Sequence, residues 1–581
     1  MEQENERAVM SATSLDDFKP SDLGFDHERF PSYRQIQLEA IEQATSGEER
    51  FQALAIPTGG GKSLVAASIH KLTGWRTVIL TSTLGLQSQY MRDFEHIGLT
   101  DIRGKANYKC QDFEDMTCRD GGRAGCQWAG SVSCAYESAK GRARNREFLI
   151  SNYPFWLNVN DRAQGLERSI SESIAKGGNP IECLVLDEAD NAPEVLSDYM
   201  SIRVTAKELV DLLGWDDPEE LKDDLSLWVK AANSWFREAD IQLDNMERQI
   251  KAKERSVSKA ELDFMHKLES LWDKLDRIKS INPDDDDWVL EMKKHPQWGN
   301  SWEFGVVSPG RYAESKLFVH IPHVVLMSGT LRPEDLGELW IRKEERKFRE
   351  WPKIFPPNRN PIYLIPAKKI VDDKPVSIRL NKHTSDQDKR IWLEWMDLFL
   401  DARQDRKGAM LVTSYDYQQF IMENSRHAKW MLGNTKDPES DSATKVFDDF
   451  VKAKPPKILI SPSFGRGWDM KYDIAEYVII PKIPFKPIQS KVMQARLKRW
   501  ELYGDYLAMK DIRQMVGRPM REFDDRAEIA IMDGQGEWWL WRNKGLAARG
   551  FVDGIRKRVD LPKPPPKLEP KLEPKIVEIN S

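Results

Sequence analysis

The chain has 581 residues, 40% of them apolar and 31% charged, with a formal net charge of −6. That length can hold three or four domains, each with its own core, and the mild acidity disfavours a surface that binds polyanions everywhere without excluding a basic track along one groove. The chain contains no apolar run near the ~18–20 residues that span a bilayer, and its acidic start is unlike a secretory signal, so no membrane partner and a cytoplasmic location are expected.

Residues 1–20 are polar and are expected to be disordered. Beyond them, short β-rich apolar runs at 51–56, 77–81, 183–186, 324–327, 409–413, 457–461, 477–480 and 529–532 alternate with helical patterns. That alternation predicts an α/β fold built on parallel sheets. Five of the runs end in polar or charged motifs, at the strand ends where open α/β sheets bind ligands.

The first run leads into Thr58-Gly59-Gly60-Gly61-Lys62-Ser63, followed by a helical pattern. Glycines let successive backbone N–H groups turn inward around phosphates, and the following helix N-terminus adds partial positive charge. Lys62 is expected to reach the β/γ-phosphates of ATP and the Ser63 hydroxyl to hold Mg²⁺. Ile56 stands where the full pattern begins with Gly.

Four of the five cysteines, Cys110, Cys118, Cys126 and Cys134, fall in one short stretch, with seven residues between neighbours. Gly121, Gly122, Gly125 and Gly130 mark this stretch as loop, free to wrap a central group. Four thiolates suit a [4Fe–4S] cluster or a structural zinc, although the Cys-x-x-Cys pairs of zinc knuckles are missing. Cys183, which opens a buried strand, reads as a small core residue.

The run at 183–186 ends in Asp187-Glu188-Ala189-Asp190. Asp187 suits Mg²⁺, and Glu188 is placed to polarise the attacking water. From 198 to 317, apolar residues recur at helical spacing, including Trp228, Ala232, Trp235, Leu268, Trp272 and Leu275, and predict a helical insert with two long helices. The aspartates at 284–287 read as a solvated turn, since calcium loops alternate ligands with spacers.

Near the C-terminus, Gln514-Met515-Val516-Gly517-Arg518-Pro519-Met520-Arg521 places two arginines three residues apart. On a helix they share a face, and two guanidinium forks can meet the charge that develops on a γ-phosphate. The Pro/Lys/Glu-rich tail at 561–581 is expected to be extended and flexible.

These motifs, in this order, resemble superfamily 2 helicases of the DinG and xeroderma pigmentosum group D (XPD) type. Arg34 and Gln37 are similar to the family's adenine-contacting motif, Thr81-Ser82-Thr83 to a DNA-contacting motif, and Gly104-Lys105-Ala106-Asn107-Tyr108-Lys109-Cys110 to the approach to the first cluster cysteine. Ser151-Asn152-Tyr153-Pro154-Phe155 resembles the stretch after the cluster, and Ser328-Gly329-Thr330 the coupling motif. Ser463-Phe464-Gly465-Arg466-Gly467-Trp468-Asp469 resembles the next motor motif, with Gly467 and Asp469 on the nucleotide.

The resemblance implies two RecA-like motor domains with ATP between them, the first at 21–105, 137–197 and 318–345 and the second at 346–560. It also implies an iron–sulfur insert at 106–136 carrying a [4Fe–4S] cluster on the four cysteines, and an Arch-like insert at 198–317. Activity would be ATP-dependent 5′-to-3′ movement on single-stranded DNA by a monomer, with forked or 5′-tailed duplex split at the cluster wedge. Where the family's acidic box ends in His, this chain has Asp190.

Single-stranded DNA asks for cations and flat rings. Lys105, Tyr108, Arg119, Arg123, Trp128, Arg142, Arg144 and Arg146 qualify around the cysteines. Lys491, Arg496, Lys498 and Arg499 form a second basic stretch, either a DNA contact or a solvated helix face. Asp-Glu-Ala-Asp is shared with RNA helicases, so an RNA-dependent ATPase is one alternative, and an accessory translocase that does not separate strands is another. With so short a segment before Tyr33, combined nuclease–helicase activity is not expected.

Overall fold

The computed structural model describes residues 18–161, 180–252, 258–295, 299–381, 383–435, 442–465, 468, 470, 474–520, 525–557 and 561–564. Gly467, Asp469 and Arg521, most of the expected disordered N-terminus and most of the expected flexible tail lie outside them. The chain divides into two compact units, Met1–Ile354 with Phe485–Leu507, and Phe355–Pro484 with Ala508–Ser581.

The first unit contains β1 (Phe51–Ala55), β2 (Thr77–Thr81), β3 (Thr100–Asp101), β4 (Phe148–Asn152), β5 (Cys183–Asp187), β6 (Ile202–Thr205), β7 (Trp288–His295), β8 (Gly299–Val306), β9 (His323–Met327) and β10 (Arg346–Glu350). Seven of these form an all-parallel sheet in the order β10-β1-β9-β5-β2-β4-β3. Alternate residues point to opposite faces, and both faces are buried. Ala53, Val78, Leu80, Leu184 and Leu186 enter one apolar core, while Leu54, Ile79, Cys183 and Val185 enter the other. That is why these strands read as continuous apolar runs rather than alternating ones.

The remaining strands correct the purely helical reading of 198–317. β6, β8 and β7 form an antiparallel sheet of three, packed under the helices Leu225–Ala252 and Lys259–Lys279. Trp302 and Phe304 of β8 share a core with Trp228, Trp235, Leu268 and Leu275. The two helices dominate the 3.6-residue signal, and the inward-facing Trp302 and Phe304 strengthen an apolar core shared with them, so period alone hides the strands.

The second unit holds β11 (Ile362–Leu364), β12 (Lys368–Val371), β13 (Lys374–Ser377), β14 (Lys407–Met410), β15 (Met431–Leu432), β16 (Lys457–Ile460), β17 (Tyr477–Ile480), β18 (Glu528–Ile531) and β19 (Ile555–Lys557). All but the β12–β13 hairpin form a second parallel sheet, ordered β15-β16-β14-β17-β18-β11-β19. β14 starts at Lys407, two residues earlier than hydropathy predicts. Its buried ammonium donates to the carbonyls of Phe450 and Val451, 3.3 and 2.9 Å away, which satisfies a charge that the apolar pattern would exclude. Arg403 and Glu528 form a fully buried bidentate pair at 2.6 and 2.7 Å, and Arg403 also donates to the carbonyl of Pro562. Two parallel α/β sheets are thus the fold class that the sequence predicts.

Candidate nucleotide site and cysteine insert

Strand order decides which motifs meet. β9 lies between β1 and β5, so three strand ends sit side by side: the glycine loop after β1, Ser328-Gly329-Thr330 after β9, and Asp187-Glu188 at the end of β5. A Cβ at Gly329 would lie only 3.1 Å from the Thr58 amide nitrogen, which places the backbone after β9 directly against the loop.

The loop itself turns through Gly59 and Gly61, both with positive φ, and Gly61 caps the Lys62–Thr73 helix. A side chain at Gly61 would collide with the amide of Gln37. Gln37 in turn accepts from the Arg34 amide at 2.8 Å, and the Arg34 guanidinium donates to the Gly59 carbonyl. Arg34 and Gln37 therefore brace the loop, whatever else they touch.

Asp187 is buried at the end of β5. The Tyr90 hydroxyl donates to Oδ2 at 2.9 Å and the Glu188 amide to Oδ1 at 2.9 Å, while the Tyr153 hydroxyl donates to the Asp187 carbonyl at 3.0 Å. Burial pushes the Asp187 carboxyl up from the usual carboxylate range, partly offset by the positive charge of Lys62. A buried carboxylate close to Lys62 is an oxygen donor that a divalent cation would stabilise in its ionised form. Tyr153 belongs to the Ser151–Phe155 stretch noted in the sequence, whereas Tyr90 escapes sequence reasoning because it reads as one more buried position of an amphipathic helix.

Glu188 adopts φ 53°, a left-handed conformation uncommon outside glycine and asparagine. Its carboxylate accepts from Ser82 at 3.3 Å and Asn191 at 3.4 Å, which fixes its orientation. Asp190 is buried and accepts from the hydroxyl of Thr330. Thr330 is itself held by Ser328, whose hydroxyl lies 3.1 Å from the Thr330 amide.

Arg518 and Gln514 belong to the second unit. The Tyr503–Gly517 helix carries Gln514, and Arg518 follows its end. The Arg518 guanidinium donates to the carbonyls of Gly465 at 3.1 Å and Trp468 at 3.4 Å, so it anchors the segment that holds the next motor motif.

The four clustered cysteines line one pocket together with Lys105, Trp128 and Tyr136. Cys134 Sγ lies 3.9 Å from Cys118 Sγ, and Cys126 is in hydrogen-bonding contact with Cys110. Among the described residues no three His, Cys, Asp or Glu side chains converge closely enough to hold a metal ion; the thiols stand as two pairs across a shared space. A Cβ at Gly121 would collide with Cys110 Sγ, so this glycine makes room for the thiol. Burial pushes the Cys118 and Cys126 thiols up. Donor type, number and shared pocket fit a thiolate-bound group. Cys183 lies apart in the sheet core, its thiol pushed up to about 12 by burial.

Around this insert Lys105, Arg119, Trp128, Arg142, Arg144 and Arg146 are exposed. Arg123 instead pairs with Glu269 of the Lys259–Lys279 helix. In the second basic stretch Lys498 and Arg499 are exposed, while Lys491, Arg496 and Arg499 have partners within the first unit. On the Lys491–Arg499 helix, Arg496 donates to the carbonyls of Val306 and Val307 and to Ser197, Lys491 pairs with Asp223, and Arg499 pairs with Asp287. These cations hold the segment Phe485–Leu507 to the rest of the first unit.

A glycine loop and an acidic pair, at strand ends separated by one strand, form an arrangement suited to binding a nucleoside triphosphate. Residues 399–542 match the family described as helicase C-terminal domain. The ATP-dependent DNA helicases YoaA of Haemophilus influenzae and Escherichia coli are 26% identical over 151 residues and 30% identical over 132 residues. Those matches cover 24% and 21% of this chain but only 23% and 20% of the relatives, so less than a quarter of either relative is spanned. A solved XPD helicase superposes with a TM-score of 0.57 at 15% identity, covering 91% of this chain and 100% of that one. The structure of S. tokodaii Xpd4 gives 0.54 at 14% identity, covering 90% and 100%. The chain is thus similar to helicase C-terminal domains and to the YoaA helicases over part of its length, and its fold is similar to that of XPD helicases.

Proposed function

We propose that the chain is an ATP-dependent DNA helicase that moves 5′ to 3′ on single-stranded DNA and splits forked or 5′-tailed duplex at its cysteine insert. The observation that carries this reading is the alignment of three strand ends, which sets Lys62, Asp187 and Glu188 beside the Ser328–Thr330 turn.

In this mechanism Lys62 and the loop amides bind the β/γ-phosphates, and Ser63 and Asp187 would hold Mg²⁺, which would neutralise phosphate charge. Glu188, oriented by Ser82 and Asn191, takes a proton from the attacking water as it bonds to the γ-phosphorus and the bond to the β-bridging oxygen breaks. Arg518 and Arg521 are assigned to the charge spreading over the transferred phosphoryl group. Thr330, bonded to Asp190, carries the change at the phosphates into the next segment of the motor. The four clustered cysteines would hold a [4Fe–4S] cluster, which would stiffen the insert as a wedge; zinc is the alternative occupant. A monomer in the cytoplasm completes the reading.

The test is hydrolysis of ATP with single-stranded DNA or RNA, then strand displacement on 5′- and 3′-tailed duplexes, with Lys62→Ala as the inactive control. DNA-stimulated hydrolysis and displacement of the 5′-tailed duplex are expected. Stimulation by RNA alone would favour an RNA-dependent ATPase, and DNA-stimulated hydrolysis without displacement would leave an accessory translocase. Replacing Arg142, Arg144 and Arg146 together by Ala should weaken DNA stimulation; unchanged affinity would remove them from the DNA path.

A further inference from the structure

We infer that the second unit carries an aromatic platform for single-stranded DNA, formed by Trp538 and Trp541 on the short helix Gly536–Arg542. The inference rests on the DNA-dependent reading above and adds a contact that none of the helicase motifs provides.

Three observations carry it. First, Trp538 and Trp541 are 60% and 51% exposed. They lie three positions apart, on one helical face, and among the described residues no other two exposed tryptophans share a helix. Second, the platform is rigid. Trp539, Leu540 and Asn543 are buried on the opposite side, and the Asn543 amide donates to the Trp539 carbonyl at 3.1 Å. The helix follows β18 at the carboxyl end of the sheet, through Asp533, which accepts from the Ile483 and Gln535 amides at 2.8 and 3.0 Å. Carboxyl ends of parallel strands are where such sheets meet ligands.

Third, the exposed face is aromatic and cationic rather than aliphatic. Arg542 lies 5.2 Å from the Trp538 ring centroid, and Lys544 is exposed two residues further on. Arg379 and Lys482 add positive charge around Asp533 at the start of the helix. Leu540, Ala547 and Phe551 point inward. A protein-docking face would offer aliphatic surface around its tryptophans. Glu537, one turn before Trp541, is the acidic residue of this helix, and flat rings with Arg542 and Lys544 beside them suit stacked bases with their phosphates on the cations.

The experiment measures anisotropy of fluorescein-labelled oligothymidylate on the full chain, alongside DNA-free ATP hydrolysis and Tm. Trp538→Ala and Trp541→Ala should each weaken affinity about tenfold, with DNA-free hydrolysis and Tm unchanged. Arg542→Gln with Lys544→Gln should lower the salt slope of binding by about 2. Iodouracil cross-links should map to the peptide containing Trp538. Wild-type affinity in both tryptophan variants overturns the platform, leaves DNA-dependent hydrolysis standing and turns this face into a protein-docking surface. Failure of the wild-type chain to bind the oligonucleotide at all defeats the DNA reading itself, and the platform with it.

Discussion

The hydroxyl of Thr330 donates to the carboxylate of Asp190, tying the turn after β9 to the turn after β5. Both residues follow adjacent strands of one sheet. Asp190 is therefore part of a direct link between the Ser328–Thr330 turn and the acidic box.

Thr330→Val keeps the shape and removes that donor from a buried carboxylate, at a cost of about 1–3 kcal/mol. The expected result is a lower Tm and a loss of DNA-stimulated hydrolysis that exceeds the loss of DNA-free hydrolysis. Equal losses in both rates would assign the bond to stability alone.

Tyr90 donates to Asp187, whose carboxyl burial already pushes up. A donor to the ionised form favours that form, so Tyr90→Phe should raise the Asp187 pKa further. Magnesium needs the ionised carboxylate, and the acid limb of the pH–rate profile should therefore move to higher pH, with the alkaline limb unmoved. A profile identical to wild type would show that Asp187 does not control that limb.

Gly121 leaves the space that Cys110 Sγ occupies. Gly121→Ala should displace that thiol and lower bound metal per chain, read by iron, sulfide and zinc analysis of anaerobically purified protein. Cys183→Ala, in the sheet core, should leave the metal content unchanged. Equal metal content in wild type and Gly121→Ala would separate Cys110 from the metal site.

Arg496 spends its guanidinium on Val306, Val307 and Ser197. Arg496→Ala should destabilise the first unit by about 2–3 kcal/mol, since hydrogen bonds to charged groups are worth more than neutral ones. DNA affinity, measured where the variant is folded, should be unchanged; a tenfold loss would restore this helix to the DNA path.

What the sequence by itself determined is local. The glycine loop, the acidic pair, the cysteine spacing and most buried strands, such as 77–81 and 477–480, are written in consecutive residues, because backbone turning and two-sided burial leave their marks within a few positions. β10, β11 and the three strands around Trp302 left no such mark: they are short, or half-exposed, or overshadowed by long helices. Only the tertiary structure decided that β9 separates β1 from β5, that Tyr90 and Tyr153 serve Asp187, and that Arg496 and Arg499 are consumed by ion pairs and carbonyls. These relationships join residues 30 to 300 positions apart, and hydrogen-bond partners at such separations are chosen by the order in which strands pack, which no local pattern encodes.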